Sequence, residues 1–192
     1  MQLRVLATGS TGNCYLIETA DKIIALDAGI KYAALCQSID YDIRKIDATL
    51  ITHEHADHDA AEPLGFLLAD RETKTKLLYL TDSASCAYQF PGLTHMVIEA
   101  NFDIATMDGR LGAGSLAKTV YNRVRKSHMA LETLIAWLDQ LDLTYMRKII
   151  LVHLSSGNSD AKSMVKAIVD ATGIDTICAE PGQVISLDLY DF

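Results

Sequence analysis

Five of the seven residues from 53 to 59 are histidine or aspartate, and this stretch constrains the fold more than any other. Thr52-His-Glu-His-Ala-Asp-His-Asp59 follows directly on a short run of apolar and small residues that reads as a strand. Imidazole and carboxylate side chains together suit zinc, manganese or iron. His53 and His55 are two residues apart, so an extended backbone points both the same way. Asp57 and His58 then fall on the following turn, where they can hold a second metal. The bland alternative is a solvated polar loop, but that loop would use three of the six histidines in the chain. The chain therefore has to build a metal-ligating turn on the end of a β-strand.

The rest of the sequence supplies the sheets. Residues 4–7, 14–19, 22–26 and 48–52 are rich in Ile, Leu and Val and read as strands, with Thr8-Gly-Ser-Thr-Gly-Asn13 as the turn between the first two. Residues 76–81, 96–100, 148–152, 176–179 and 183–187 are further strand candidates. A short helix is expected over 31–39. Leu131, Leu134, Ile135 and Leu138 repeat at helical spacing, with Ser127 near the expected start. Met164, Val165, Ile168 and Val169 form a second stripe, with Ser159 as candidate N-cap and Gly173 at the stop. This order of elements predicts a layered α/β (α+β) domain. With three prolines, no repeat and no visible linker, residues 1–192 are expected to form one domain.

Hydrophobic residues make up 49% and charged residues 22%, which excludes a disordered chain. No apolar run approaches the ~20 residues that a membrane span needs, and the first residues lack the apolar core of a signal peptide. The four cysteines, at 14, 36, 86 and 178, form no CxxC pair. They are expected to be reduced thiols in the cytoplasm. A net charge of −8 argues against a passive nucleic-acid coat. It does not exclude a nuclease, because a metal site attracts phosphate by itself.

The segment 53–58 resembles the HxHxDH signature of the metallo-β-lactamase superfamily. Other segments match in order: Leu26-Asp-Ala-Gly29, Leu80-Thr-Asp-Ser83, Glu99-Ala-Asn-Phe-Asp103, the stretch through Ser127, His128 and Met129, and Leu151-Val-His-Leu-Ser-Ser156. Together they most resemble the tRNase Z-like and WalJ/YycJ-type nuclease branch. The resemblance implies an αββα sandwich and a hydrolase working through a metal-bound hydroxide, with two zinc ions, or manganese in their place. It implies His53 and His55 as ligands of the first metal. Asp57, His58 and His153 would bind the second, Asp82 would bridge the two, and Asp57 would also orient the attacking water. His128, backed by Glu99, would contact the scissile phosphate and protonate the leaving group. Asp27 would support the ligands from behind. Each has a structural alternative: a turn for Asp82, a core position for His153, and a helix start beside a capping Ser127 for His128. His95 matches no motif and is expected to be structural or exposed. Asp103 is expected to be a solvated turn residue.

The sequence departs from this family after the first motif. His58-Asp-Ala-Ala-Glu-Pro-Leu-Gly-Phe66 looks like a later family element that carries the third ligand of the first metal. The two elements are fused at one histidine. Internal deletion, an omitted segment and chance similarity of the flank all fit, the first two better because both flanks match. One imidazole cannot serve two metals at ~2.0–2.1 Å, so one ion in place of two is an alternative. Lost strands would leave a sheet edge open to pairing, which invites a homodimer. Nucleic acid is the expected substrate, with Lys118, Arg123, Arg125 and Lys126 ahead of His128 as a basic cluster for its backbone. Two alternatives stand beside it. One is a hydrolase of a small ester, lactone or thioester, and the other is a non-catalytic metal-binding relative.

Overall fold

The computed structural model describes residues 1–53 and 64–189. Ten strands form two five-stranded sheets. The first contains β1 (Gln2–Ala7), β2 (Cys14–Glu18), β3 (Ile23–Leu26), β4 (Ile46–Leu50) and β10 (Val184–Ser186), in the order β10-β1-β2-β3-β4. The second runs β5 (Phe66–Ala69), β6 (Lys76–Leu80), β7 (His95–Glu99), β8 (Lys148–Val152), β9 (Asp175–Cys178). Five α-helices accompany them among the described residues: α1 (Tyr32–Ser38), α2 (Ile104–Gly112), α3 (Lys118–Ser127), α4 (Leu131–Leu138) and α5 (Ala161–Thr172).

The near-continuous apolar runs of β6, β7 and β8 follow from burial on both faces. Leu77, Tyr79, Val97, Ile150 and Val152 point toward the first sheet, where they meet Leu3, Val5, Tyr15, Ile17 and Leu26. The alternate residues Leu78, Leu80, Met96, Ile98, Ile149 and Leu151 point the other way, onto Leu131, Leu134, Trp137 and Leu138 of α4 and Met164 and Ile168 of α5. On the outer face of the first sheet, Cys14, Leu16 and Ala25 pack on Leu35 and Ile39 of the α1 region. The layers are thus helix, sheet, sheet, helix, as expected. A smaller cluster of Phe102, Met107, Val124 and Ala130 holds α2 and α3.

β6, β7, β8 and β9 are parallel, so their carboxyl ends open on one side of the sheet. Leu80, Ile98 and Leu151 are in register. That aligns the residues that follow them.

Several local expectations are corrected. Ser127 does not start the helix that carries Leu131. It is the last residue of α3, and the N-cap of α4 is Ala130, with no side-chain hydrogen bond. His128 therefore follows one helix and does not begin the next. Asp160, not Ser159, caps α5 by accepting from the Ser163 amide, while Gly173 stops it at φ 72° as expected. Asp103 is the N-cap of α2 and accepts from Thr106 N. His95 is buried as the first residue of β7. All four cysteines are free thiols. Burial pushes Cys14 up to about 12 and Cys178 up to about 11, so neither is a ready thiolate. Among the described residues no helix is long and apolar enough to cross a membrane.

Candidate metal centre

The carboxyl ends of the strands converge on one cluster. Asp82 lies two residues beyond Leu80 and His153 two beyond Leu151, while Glu99 is the last residue of β7. His128 arrives from 29 positions away in sequence, because its chain is stitched to the extension of β7. Asn101 N donates to Met129 O, Leu131 N donates to Phe102 O, and Phe102 bridges Ala130. The result brings one ligand atom from each of Asp82, Glu99, His128 and His153 within 4.8 Å of one another.

Glu99 organises this group. Its Oε1 lies 2.7 Å from His128 Nδ1 and 2.6 Å from His153 Nδ1, and it accepts from Asn101 Nδ2 at 3.1 Å. Ser83 N donates to Oε2. Burial alone would push the Glu99 carboxyl up, but the two imidazoles outweigh it and hold the group below the usual carboxylate range. Burial alone would likewise lower His153. The hydrogen bond and charge of Glu99, with Asp82 and Asp27 nearby, raise it instead. The same Nδ1 atoms lie 3.6 Å (His128) and 3.8 Å (His153) from Asp82 Oδ1, so both rings turn this nitrogen toward the two carboxylates.

The first sheet contributes from its own strand ends. Asp27 Oδ1 accepts from Thr52 N and Oγ1, and Tyr79 OH donates to Oδ2 at 2.6 Å. Thr52 Oγ1 also lies 2.9 Å from His53 Nδ1. A hydroxyl that donates to Asp27 must accept from His53, which puts the proton on Nδ1 and frees Nε2 for a metal. Asp27 thus ties the end of β3 to Thr52, the neighbour of His53. His53 Nδ1 is 3.9 Å from Asp82 Oδ2, and this links the two halves.

Three residues at this end have left-handed backbones: Asp27 (φ 56°), Asp82 (φ 55°) and His153 (φ 57°). Such conformations cost about 1–3 kcal/mol each for a non-glycine residue and persist where the surroundings over-determine them. Here each one turns the chain sharply off a strand end; Asp82 and His153 place their side chains in the cluster, and Asp27 meets Thr52 and Tyr79.

Sequence reasoning missed the polar residues that support the cluster. Asn101 Nδ2 also donates to His153 O at 2.8 Å. Asn13 Nδ2 reaches Asp82 Oδ2 at 3.4 Å. Asn13 is placed by a close backbone approach: a Cβ at Gly12 (φ 134°) would lie 1.8 Å from Gly29 O. His153 N donates to Thr8 Oγ1. The available signal was polarity at buried positions, as with the amide inside Glu99-Ala-Asn101.

The donor set fits a metal. Two imidazoles and two carboxylates within 4.8 Å, with a third imidazole adjacent, suit zinc or manganese better than an all-oxygen cation. His55, Asp57 and His58 lie outside the described residues. Of the sequence-based candidates, the structure brings together His53, Asp82, Glu99, His128 and His153.

The sequence profile described as the Metallo-beta-lactamase superfamily matches residues 7–61. Exodeoxyribonuclease WalJ of Streptococcus pneumoniae is 44% identical over 57 residues, which is 28% of this chain and 21% of that protein. Endoribonuclease YSH1 of Candida albicans is 28% identical over 127 residues, covering 64% of this chain and 14% of that protein. The matches thus cover about a fifth or less of those relatives' length. In fold the likeness spans nearly everything. The metallo-β-lactamase fold protein YhfI of Bacillus subtilis superposes with a TM-score of 0.64 at 13% identity, covering 95% of this chain and 98% of that one. The two-sheet architecture is that of the metallo-β-lactamase fold, and residues 7–61 match the superfamily's profile.

Proposed function

We propose that this protein is a metal-dependent phosphodiesterase acting on nucleic acid. The observation that carries the reading is the Asp82–Glu99–His128–His153 cluster at the carboxyl ends of parallel strands, with His128 held by Glu99 at 2.7 Å. The nuclease names of WalJ and YSH1 support it. In this reading His53, Asp82 and His153 hold the metal together with His55, Asp57 and His58. A bound divalent metal would supply Lewis acidity toward the phosphoryl oxygens.

The chain's own side chains do the rest. Glu99 fixes the His128 ring, so that the imidazole presents Nε2 toward the scissile phosphate. From there it can donate a proton to the departing oxygen, a contribution of about 10²–10⁴ in rate. Asp82 sets its carboxylate between His53 and His153 and would hold metal together with them. Asp27, through Thr52, holds His53 in the tautomer that binds metal.

The test is to measure metal per chain, then assay metal-loaded protein on bis(p-nitrophenyl) phosphate and on end-labelled DNA and RNA. The expected result is EDTA-sensitive cleavage of the small diester and of at least one nucleic acid. Two ions per chain would mean a dinuclear centre, and one would mean that the fused motif has cost the first site. Turnover confined to a p-nitrophenyl ester or a lactone would replace this reading with the carbonyl class. Bound metal without any turnover would leave a non-catalytic relative.

A further inference from the structure

We propose that the outward face of α3 is a track for the phosphodiester backbone of a nucleic-acid strand leading to His128. This rests on the phosphodiesterase reading above. α3 has the sequence KTVYNRVRKS, with four cationic residues and no acidic one, in a chain of net charge −8. Val124 is its buried residue, and with Tyr121 it packs on the cluster of Phe102, Met107 and Ala130. That contact fixes which side faces out. At 3.6 residues per turn, Lys118, Asn122 and Lys126 stack in one row, with Thr119 and Arg123 in the row beside it. All five are exposed.

The four cations are not equivalent. Arg125 is engaged within the fold: its Nη1 donates to Tyr121 OH, which donates to Asp108 Oδ1. Lys118, Arg123 and Lys126 have no side-chain hydrogen bond or ion pair among the described residues. Complementing the helix dipole would explain Lys126, which lies in the last turn. It cannot explain Lys118. That residue opens the helix, where a cation is disfavoured, and the N-cap Ala117 offers no side-chain hydrogen bond. Lys118 therefore works against the helix that carries it, and its charge serves something outside the fold.

The position supports a substrate. His128 N donates to Val124 O, so the basic face ends two residues from the side chain that meets Glu99. Ten helical residues span about 15 Å, room for the three free cations to meet successive phosphates of one strand. A small ester would need no such track, whereas a polyanion would be drawn along it toward the cluster.

The experiment measures binding of fluorescein-labelled 20-nucleotide oligothymidylate and oligouridylate to metal-free protein by anisotropy, from 50 to 200 mM salt. Lys118→Gln/Arg123→Gln/Lys126→Gln is compared with Lys22→Gln/Lys74→Gln/Lys162→Gln, which removes the same charge elsewhere. The α3 variant is expected to bind about a hundredfold more weakly at 50 mM salt. Its slope of log K against log salt should be shallower by about 2, as loss of three single-strand phosphate contacts requires. The control variant should keep the wild-type slope. Lys118→Gln alone should weaken binding while holding or raising the melting temperature. An effect with one oligonucleotide only would assign the track to DNA or to RNA. Equal slopes for both triple variants would overturn the track. Hydrolysis of bis(p-nitrophenyl) phosphate by the wild type would show in that case that the phosphodiesterase reading still stands. A wild type that cleaves no phosphodiester would remove both.

Discussion

Strand β7 buries an ionisable side chain at each end, and the fold treats the two in opposite ways. Glu99, at the carboxyl end, is about 1% exposed yet held below the usual carboxylate range by His128 and His153, with Asn101 and Ser83 donating as well. His95, at the amino end, is equally buried but has one hydrogen-bond partner, Thr94 Oγ1 at 3.0 Å. Burial first, and then Lys148 and Arg147 against a smaller pull from Asp188, lower its pKa to about 4. A buried charge is stable only when it is paired. At the carboxyl end the structure supplies the partners and keeps the charge, and at the amino end it discards the charge. The difference marks one end of the sheet as the place where chemistry can happen and the other as a packed stop.

The largest effects should come from the carboxyl end. Asp82→Ala should lower phosphodiester turnover about 10³-fold or more, because a metal contributes several kcal/mol to the reaction. Metal per chain should fall with it, as read by mass spectrometry. His128→Ala should slow turnover by about 10²-fold or more while sparing bound metal. If His128→Ala strips the metal, His128 belongs with the ligands, and the division between metal-holding and phosphate-facing side chains moves.

The amino end should show itself through pH. His95 has its pKa lowered from 6.5 to about 4, so the unfolded chain takes up the proton first. The stability due to neutral His95 is complete above about pH 6.5 and is lost as pH falls through 4, to a total of about 3 kcal/mol. His95→Asn can keep a partner for Thr94 without titrating. Urea midpoints at pH 7 and pH 4.5 should separate the wild type more than the variant, by about 2 kcal/mol. Equal separations would mean that His95 is not the group that resists acid.

Thr52→Val probes the carboxyl end of the first sheet, where Thr52 stands between Asp27 and His53. The variant removes the hydroxyl between Asp27 and His53 and leaves Asp27 with Tyr79 OH and the backbone N of residue 52. It should cost about 1 kcal/mol in chemical denaturation and about tenfold in metal affinity. A larger loss of affinity than Asn101→Ala produces would mean that the first sheet, not the second, sets the strength of the centre.

Much of this was readable in advance, and the failures have physical causes. Strands β6, β7 and β8 were legible because burial on both faces writes a continuous apolar run, as in Lys148–Val152, whereas β5, half-exposed along its length, was not expected. α4 and α5 were legible from apolar stripes facing one large core. α2 and α3 were not, because each commits a single buried side chain, Met107 or Val124, to a small cluster. A helix anchored so thinly carries little hydrophobic period. The capping error at Ser159 has another cause. Ser159 and Asp160 are adjacent candidates, and only the backbone decides which one faces the amide three residues on. Candidate ligands showed by residue type. Asn13 and Tyr79 did not, since they meet Asp82 and Asp27 across 69 and 52 positions of chain.

The smallest effect should come from the edge of the second sheet. β5 pairs with β6 and ends the strand order among the described residues, with Leu67 exposed by 46%. A sheet edge left open by lost strands is the feature from which a homodimer was expected. A lysine on such an edge is the usual block to strand pairing, and its long stem can lie over the same apolar surface. Where the edge faces water, Leu67→Lys should shift stability by no more than about 0.5 kcal/mol and leave the sedimenting mass unchanged. Where the edge joins two copies, the wild type should sediment as a dimer at micromolar concentration and the variant as a monomer. Dissociation by one edge charge would move the comparison from the two ends of β7 to the two edges of its sheet.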